Sequence, residues 1–147
     1  MIATREPHEL LAEANAIRYQ ARVKKREVEY LASHFKPEHA GRKKSESELE
    51  DLKKRYLAVV GSFVSAQVDT QQAILEEAKA AQSALQPVVQ AAQKRRDAEE
   101  DAAKFWELDG ALHELRMKAD SLGMQIATAN GYIAYAKDLL ETAKRGV

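Results

Sequence analysis

The chain of 147 residues has no cysteine, so disulfide scaffolds, thiolate metal sites and cysteine nucleophiles are excluded. Proline occurs three times and glycine six times, which leaves few obligatory breaks. Aromatic residues make up only 6% of the chain. Neither charge sign is in excess, with 23 Lys and Arg against 23 Asp and Glu. A whole-chain pull on nucleic acid or anionic membrane is therefore not expected, and any such binding has to be local. The first residues lack the apolar core of a signal peptide. An intracellular or cytoplasmic protein with no transmembrane segment is the expectation. What is abundant is alanine, glutamate, lysine, leucine, arginine and glutamine, the composition of long helices and coiled coils.

The periodicity agrees. A first helix is expected over about 6–35, opening between Thr4 and Pro7. Its seam is Leu10, Ala14, Ile17, Ala21, Lys24, Val28, Leu31 and Phe35, at alternating spacings of four and three with one polar intruder, Lys24. Pro37 and Gly41 make 36–44 a loop. Ser45 and Glu48 have capping-box spacing and start a second helix over about 46–85. Its apolar face runs through Leu49, Leu52, Tyr56, Val59 and Phe63. Near Gly61 it shifts by one residue and continues as Val64, Val68, Leu75, Ala78, Leu85 and Val89. That drift suggests partners on two sides. Pro87 kinks or breaks the run. A further helix is expected over about 88–108, a turn at Asp109-Gly110, and a last helix over about 111–145.

The last helix carries the cleanest pattern: Leu108, Leu112, Leu115, Ala119, Leu122, Ile126, Ala129, Ile133, Ala136 and Leu140 alternate four and three without error. Within it lies SLGMQIATANGYIAYA, Ser121 to Ala136, which holds no charge. A membrane span would need about 20 predominantly apolar residues, and this run is shorter and contains Gln125, Thr128 and Asn130. Gly123, Ala127 and Gly131 are spaced by four, and the row of small side chains predicts a close helix contact. The expected packing interface is Leu108, Leu112, Leu115, Leu122, Gly123, Ile126, Ala127, Gly131, Ile133 and Leu140.

Reaction chemistry is hard to find. His8, His34, His39 and His113 lack Glu-x-x-His and H-E-x-x-H spacing, and no phosphate-binding or nucleophile-elbow motif occurs. No metal, cofactor or catalytic residue is expected, and the chain reads as a non-enzyme. Glu50 with Lys54 and Asp51 with Arg55 fit solvated ion pairs four apart on a helix. Trp106 beside Phe105 is read first as core or helix-end packing and second as a binding anchor.

One asymmetry stands out. From Arg18 to Lys44 the basic residues Arg18, Arg22, Lys24, Lys25, Arg26, Lys36, Arg42, Lys43 and Lys44 face only Glu27, Glu29 and Glu38. From Asp97 to Asp109 the acids Asp97, Glu99, Glu100, Asp101, Glu107 and Asp109 face only Lys104. Nucleic acid, or the acidic stretch of the same or another copy, could answer the basic one, and two merely solvated faces would also explain the pattern.

The sequence thus predicts a single all-α domain over 1–147, an elongated antiparallel helical bundle or coiled coil of three or four long helices. In kind it resembles the broad run of helical scaffold, adaptor and virion-assembly proteins. The expected function is a non-catalytic structural protein in a larger or oligomeric assembly, with protein partners and self-association. A nucleic-acid-binding helical protein using 18–44 is the second reading, and a membrane-active one the third.

Overall fold

The computed structural model describes residues 5–147, and the proposed start at Thr4 lies outside them. Helix α1 spans Pro7–His34, α2 spans Ala40–Asp97 and α3 spans Ala102–Lys144. They hold 90% of the described residues, among which there is no strand.

Pro7 occupies the first turn of α1, where its missing N–H costs nothing, and the Glu6 carbonyl accepts from Glu9 N at 3.0 Å. At the other end Phe35 is extended, close before Pro37, which halts the helix.

Three expected boundaries are corrected. The loop over 36–44 closes by His39, and α2 already begins at Ala40. The imidazole of His39 supplies the cap: its Nδ1 accepts from Arg42 N at 3.3 Å, while its carbonyl accepts from Lys43 N at 3.0 Å. Gly41 makes room for this ring, since a Cβ there would lie 3.1 Å from the His39 Cε1. Ser45 and Glu48 are therefore interior to α2 and form no capping box.

Pro87 neither ends α2 nor divides it. It is exposed, and so is Ser83, whose carbonyl loses the bond and can take water instead. Leu85 and Val89 hold the buried side of the helix on either side of it.

The turn expected at Asp109-Gly110 falls instead at residues 98–101, and α3 runs straight through 109–110. Asp101 starts α3 by accepting from Lys104 N at 3.0 Å through Oδ1, the bond of an N-cap. Asp109 is held within the helix by Arg96, 2.8 Å away.

Where one domain is expected, the chain divides into two compact units. The first takes the chain through Val68 together with Ala134–Val147. Leu10, Ala14 and Ile17 of α1, Tyr56, Val60, Phe63 and Val64 of α2, and Ala136 and Ala143 of α3 form one buried cluster there. The one-residue shift of the α2 face near Gly61 has its cause in this cluster, where α2 meets two other helices. Lys24 pairs with Glu48 and Glu27 with Ser45. Three residues forward on α1 is three residues back on α2, which makes the pair antiparallel.

The second unit, Asp69–Ile133, is an antiparallel hairpin of the end of α2 and the start of α3. Arg96 meets Asp109 beside the turn, and Gln82 lies over Gly123 further along. Ala78, Leu85, Leu112, Ala129 and Ile133 are its buried residues. Two helices can bury only one side of each other. Accordingly Leu75, Val89, Leu108, Leu115, Leu122 and Ile126 are only partly covered.

Candidate functional site

The seam of α3 packs as its spacing dictates. Leu112 and Ile133 are buried, and Leu108, Leu115, Leu122, Ile126 and Leu140 are partly buried. The small-residue row beside it does not make the close contact expected of it. Ala127 and Gly131 are exposed, and a Cβ on Gly131 would meet nothing within 4 Å. Gly123 is partly covered, yet its nearest neighbour is the flexible amide of Gln82 at 3.9 Å. The row sits beyond the edge of the seam, whose covered residues are leucines, isoleucines and alanines. The smallness of Ala119 instead helps leave a cleft of about 360 Å³ in the second unit, lined by Gln82, Ser83, Gln86, Val89, Gln90 and Ala119. Its polar lining is amide and hydroxyl, with no titratable group.

The basic region separates into two kinds of residue. Lys24 and Arg42 are structural. Lys24 Nζ lies 2.8 Å from Glu27 and 2.7 Å from Glu48, and Ser45 donates to Glu27 at 3.0 Å. Hydrogen bonds from Glu27 and then Glu48 hold the Lys24 ammonium above its ordinary range. Those from Lys24 and then Ser45 hold the Glu27 carboxyl below its own. Arg42 bonds Glu46 at 3.0 Å and the Phe35 carbonyl at 2.9 Å, bracing the turn.

Arg22, Lys25 and Arg26 are of the second kind. They are exposed and, among the described residues, have no carboxylate partner. Arg18 is partly covered beside them, and Lys43 and Lys44 are exposed on α2. The same outward side of α1 carries Tyr19, 71% exposed, with Val23 and Tyr30 also exposed. Tyr30 stacks on His34 with ring centres 4.2 Å apart.

The acidic region divides likewise. Arg96 takes up Asp97 at 2.9 Å and Asp109 at 2.8 Å, and Asp109 first, then Asp97, raises its basicity further. Glu99 accepts from Asp101 N at 3.2 Å, and Asp101 caps α3. Glu100, Glu107 and Glu114 remain exposed and, among the described residues, unpaired. Glu50 pairs with Lys53 at 3.4 Å rather than with Lys54.

Trp106 is not a core residue. It is 68% exposed and touches Phe105 edge-on at 5.3 Å. With Met117 and Met124, the latter 72% exposed, it forms a stripe opposite the α3 seam. The spacings of eleven and seven put the three side chains on one face. Sequence reasoning overlooked this stripe and that of Tyr19, Val23 and Tyr30. Their signal was present as large apolar residues out of phase with the seam.

Among the described residues no group of three or more His, Asp or Glu could hold a metal ion. No helix among them is long and apolar enough to cross a membrane. No protein-family model, curated protein or solved structure matches the chain significantly.

Proposed function

We propose that this chain is a non-catalytic helical interaction protein, a coiled-coil component of a larger or oligomeric assembly of the scaffold, adaptor or virion-assembly type. The observation that carries this reading is the outward stripe of α3, where Trp106, Met117 and Met124 are each more than half exposed on one face. Scattered exposed apolar residues are ordinary on any protein. Aligned ones, one of them a tryptophan, favour a protein partner. The error-free heptads of α3 favour coiled-coil packing of the helices.

A photo-reactive residue at Met117, irradiated in the cells that express the protein, tests the reading. A discrete adduct to protein is expected. A chain that forms no protein adduct from this face is not an assembly component through it.

A second reading, nucleic-acid binding, is favoured by Arg22, Lys25 and Arg26 beside Tyr19 and Tyr30, since bases stack on aromatic rings while cations answer phosphates. It predicts adducts to nucleic acid from α1, and an affinity that falls steeply with salt.

A further inference from the structure

We infer that the partner of the α3 stripe is a second copy of this chain, which docks there the outward face of its own α1. The inference rests on the assembly reading and names the partner that reading leaves open.

The two faces match in apolar content, in spacing and in charge. On α1, Tyr19, Val23 and Tyr30 line one side, with Tyr19 and Tyr30 eleven residues apart. On α3, Trp106 and Met117 are also eleven apart. At 1.5 Å per residue both pairs are separated by about 16 Å, so large side chains of one face can be in step with those of the other.

The charges beside the stripes are opposite. Arg22 and Arg26 flank the α1 stripe, with Arg18 and Lys25 further round the helix and Glu29 the acid among them. Glu107 and Glu114 run along one side of the α3 stripe with Lys118 just beyond them, and Asp120 and Arg116 run along the other, so acids outnumber bases there. Arg18 and Lys25 are seven apart, as are Glu107 and Glu114. Arg22, Lys25, Arg26, Glu107 and Glu114 are exposed and unpaired among the described residues, so each is available to an opposite charge.

The complementarity extends to the units. The first unit holds 16 Lys and Arg against 12 Asp and Glu, and the second holds 7 against 11. A chain neutral in total is thus +4 in one unit and −4 in the other. Pairing like units would set like charges together. Pairing the first unit of one copy with the second of another neutralises both and steers their encounter. Because the two surfaces differ, the contact is heterologous: it extends from copy to copy, or closes when two copies exchange both contacts.

Light scattering on the full chain at low salt, at low and high micromolar concentration, tests this. The wild type should exceed 16.4 kDa at the higher concentration. Arg22→Glu with Lys25→Glu and Arg26→Glu should weaken association about tenfold or more, and so should Glu107→Lys with Glu114→Lys. Circular dichroism should show unchanged helix in both variants, because the replaced side chains are exposed. An equimolar mixture of the two variants should recover the association, since native α1 then meets native α3 and reversed meets reversed.

A wild type that stays at 16.4 kDa overturns the inference. So does association that ignores the reversals, a mixture that recovers nothing, or an α1 variant that loses nucleic-acid binding at unchanged mass. The adduct from position 117 separates the two levels. Crosslinking to residues of α1 from another copy supports the second copy. Crosslinking only to a different protein overturns it and leaves the assembly reading standing, whereas no protein adduct removes both.

Discussion

Lys24 of α1 holds Glu48 of α2 at 2.7 Å, from a seam position that the heptad pattern reserves for an apolar side chain. A polar group at such a position fixes register, because sliding either helix by one turn would part the ammonium from Glu48 while Glu27 of its own helix stays beside it. The contribution is pH-dependent with a definite sign. Glu27, held below its ordinary range, binds fewer protons folded than unfolded. Its stabilisation is present above the normal carboxylate value and is lost as pH falls from there through the lowered one. Lys24, held above its range, contributes below the normal lysine value, and that part is lost as pH rises through the raised one. Urea denaturation at about pH 7 and about pH 3 should show a shallower acid loss in Lys24→Ala than in the wild type. Equal slopes would mean that the cluster does not couple to folding.

Gly131 faces open space inside α3. Gly131→Ala should therefore stabilise by roughly 1 kcal/mol through helix propensity alone, and Gly131→Leu by nearly as much. Both should raise the melting temperature. A fall in the leucine variant would reveal a contact on this face.

Asp101 starts α3 without help from proline or glycine. Asp101→Ala should cost about 1 kcal/mol by freeing the Lys104 N–H, and Asp101→Asn should restore most of it. Chemical denaturation of the three proteins decides. An alanine variant as stable as the wild type would show that the cap contributes nothing.

Pro87 lies inside a helix that does not stop for it. Replacing it with alanine restores one donor and removes the ring from the preceding turn, at some cost in unfolded-chain entropy. The expected net gain is about 1–3 kcal/mol, read as a higher midpoint in urea. A loss would place Pro87 at a bend that α2 needs.

Leu112 is fully buried in a unit with few buried residues. Leu112→Ala should cost about 2–5 kcal/mol, and Leu122→Ala, half-covered, clearly less. Thermal melts of the two variants check the order, and a reversed order would contradict the packing of the hairpin.

The apolar seams of the helices were legible, with Phe35 the exception, since it stands past the end of α1 and is exposed. Leu10, Ala14, Ile17 and Ala21 are buried as their spacing demands, and no member of the α3 seam from Leu108 to Leu140 is exposed. A side chain's position around a helix follows from counting, and counting needs no knowledge of the neighbour. The ends of the helices were less legible. Pro37, Gly41, Pro87 and Gly110 are signs of local conformational cost, yet only the first stands at an actual break. Asp101 was the readable signal for the second turn, an N-cap residue without the usual breakers beside it.

The sequence by itself therefore determined the helical state, the buried stripe of each helix and the uneven spread of charge, since these depend on residue type and spacing along one chain. Only the tertiary structure decided which charges are taken and which are free. It turned Ser45 and Glu48 from a cap into links to α1, and it joined Arg96 to Asp97 and Asp109. It left Trp106 and Gly131 in the open. Spacing along a helix says which side chains share a face, and whether that face meets another helix depends on residues dozens of positions away.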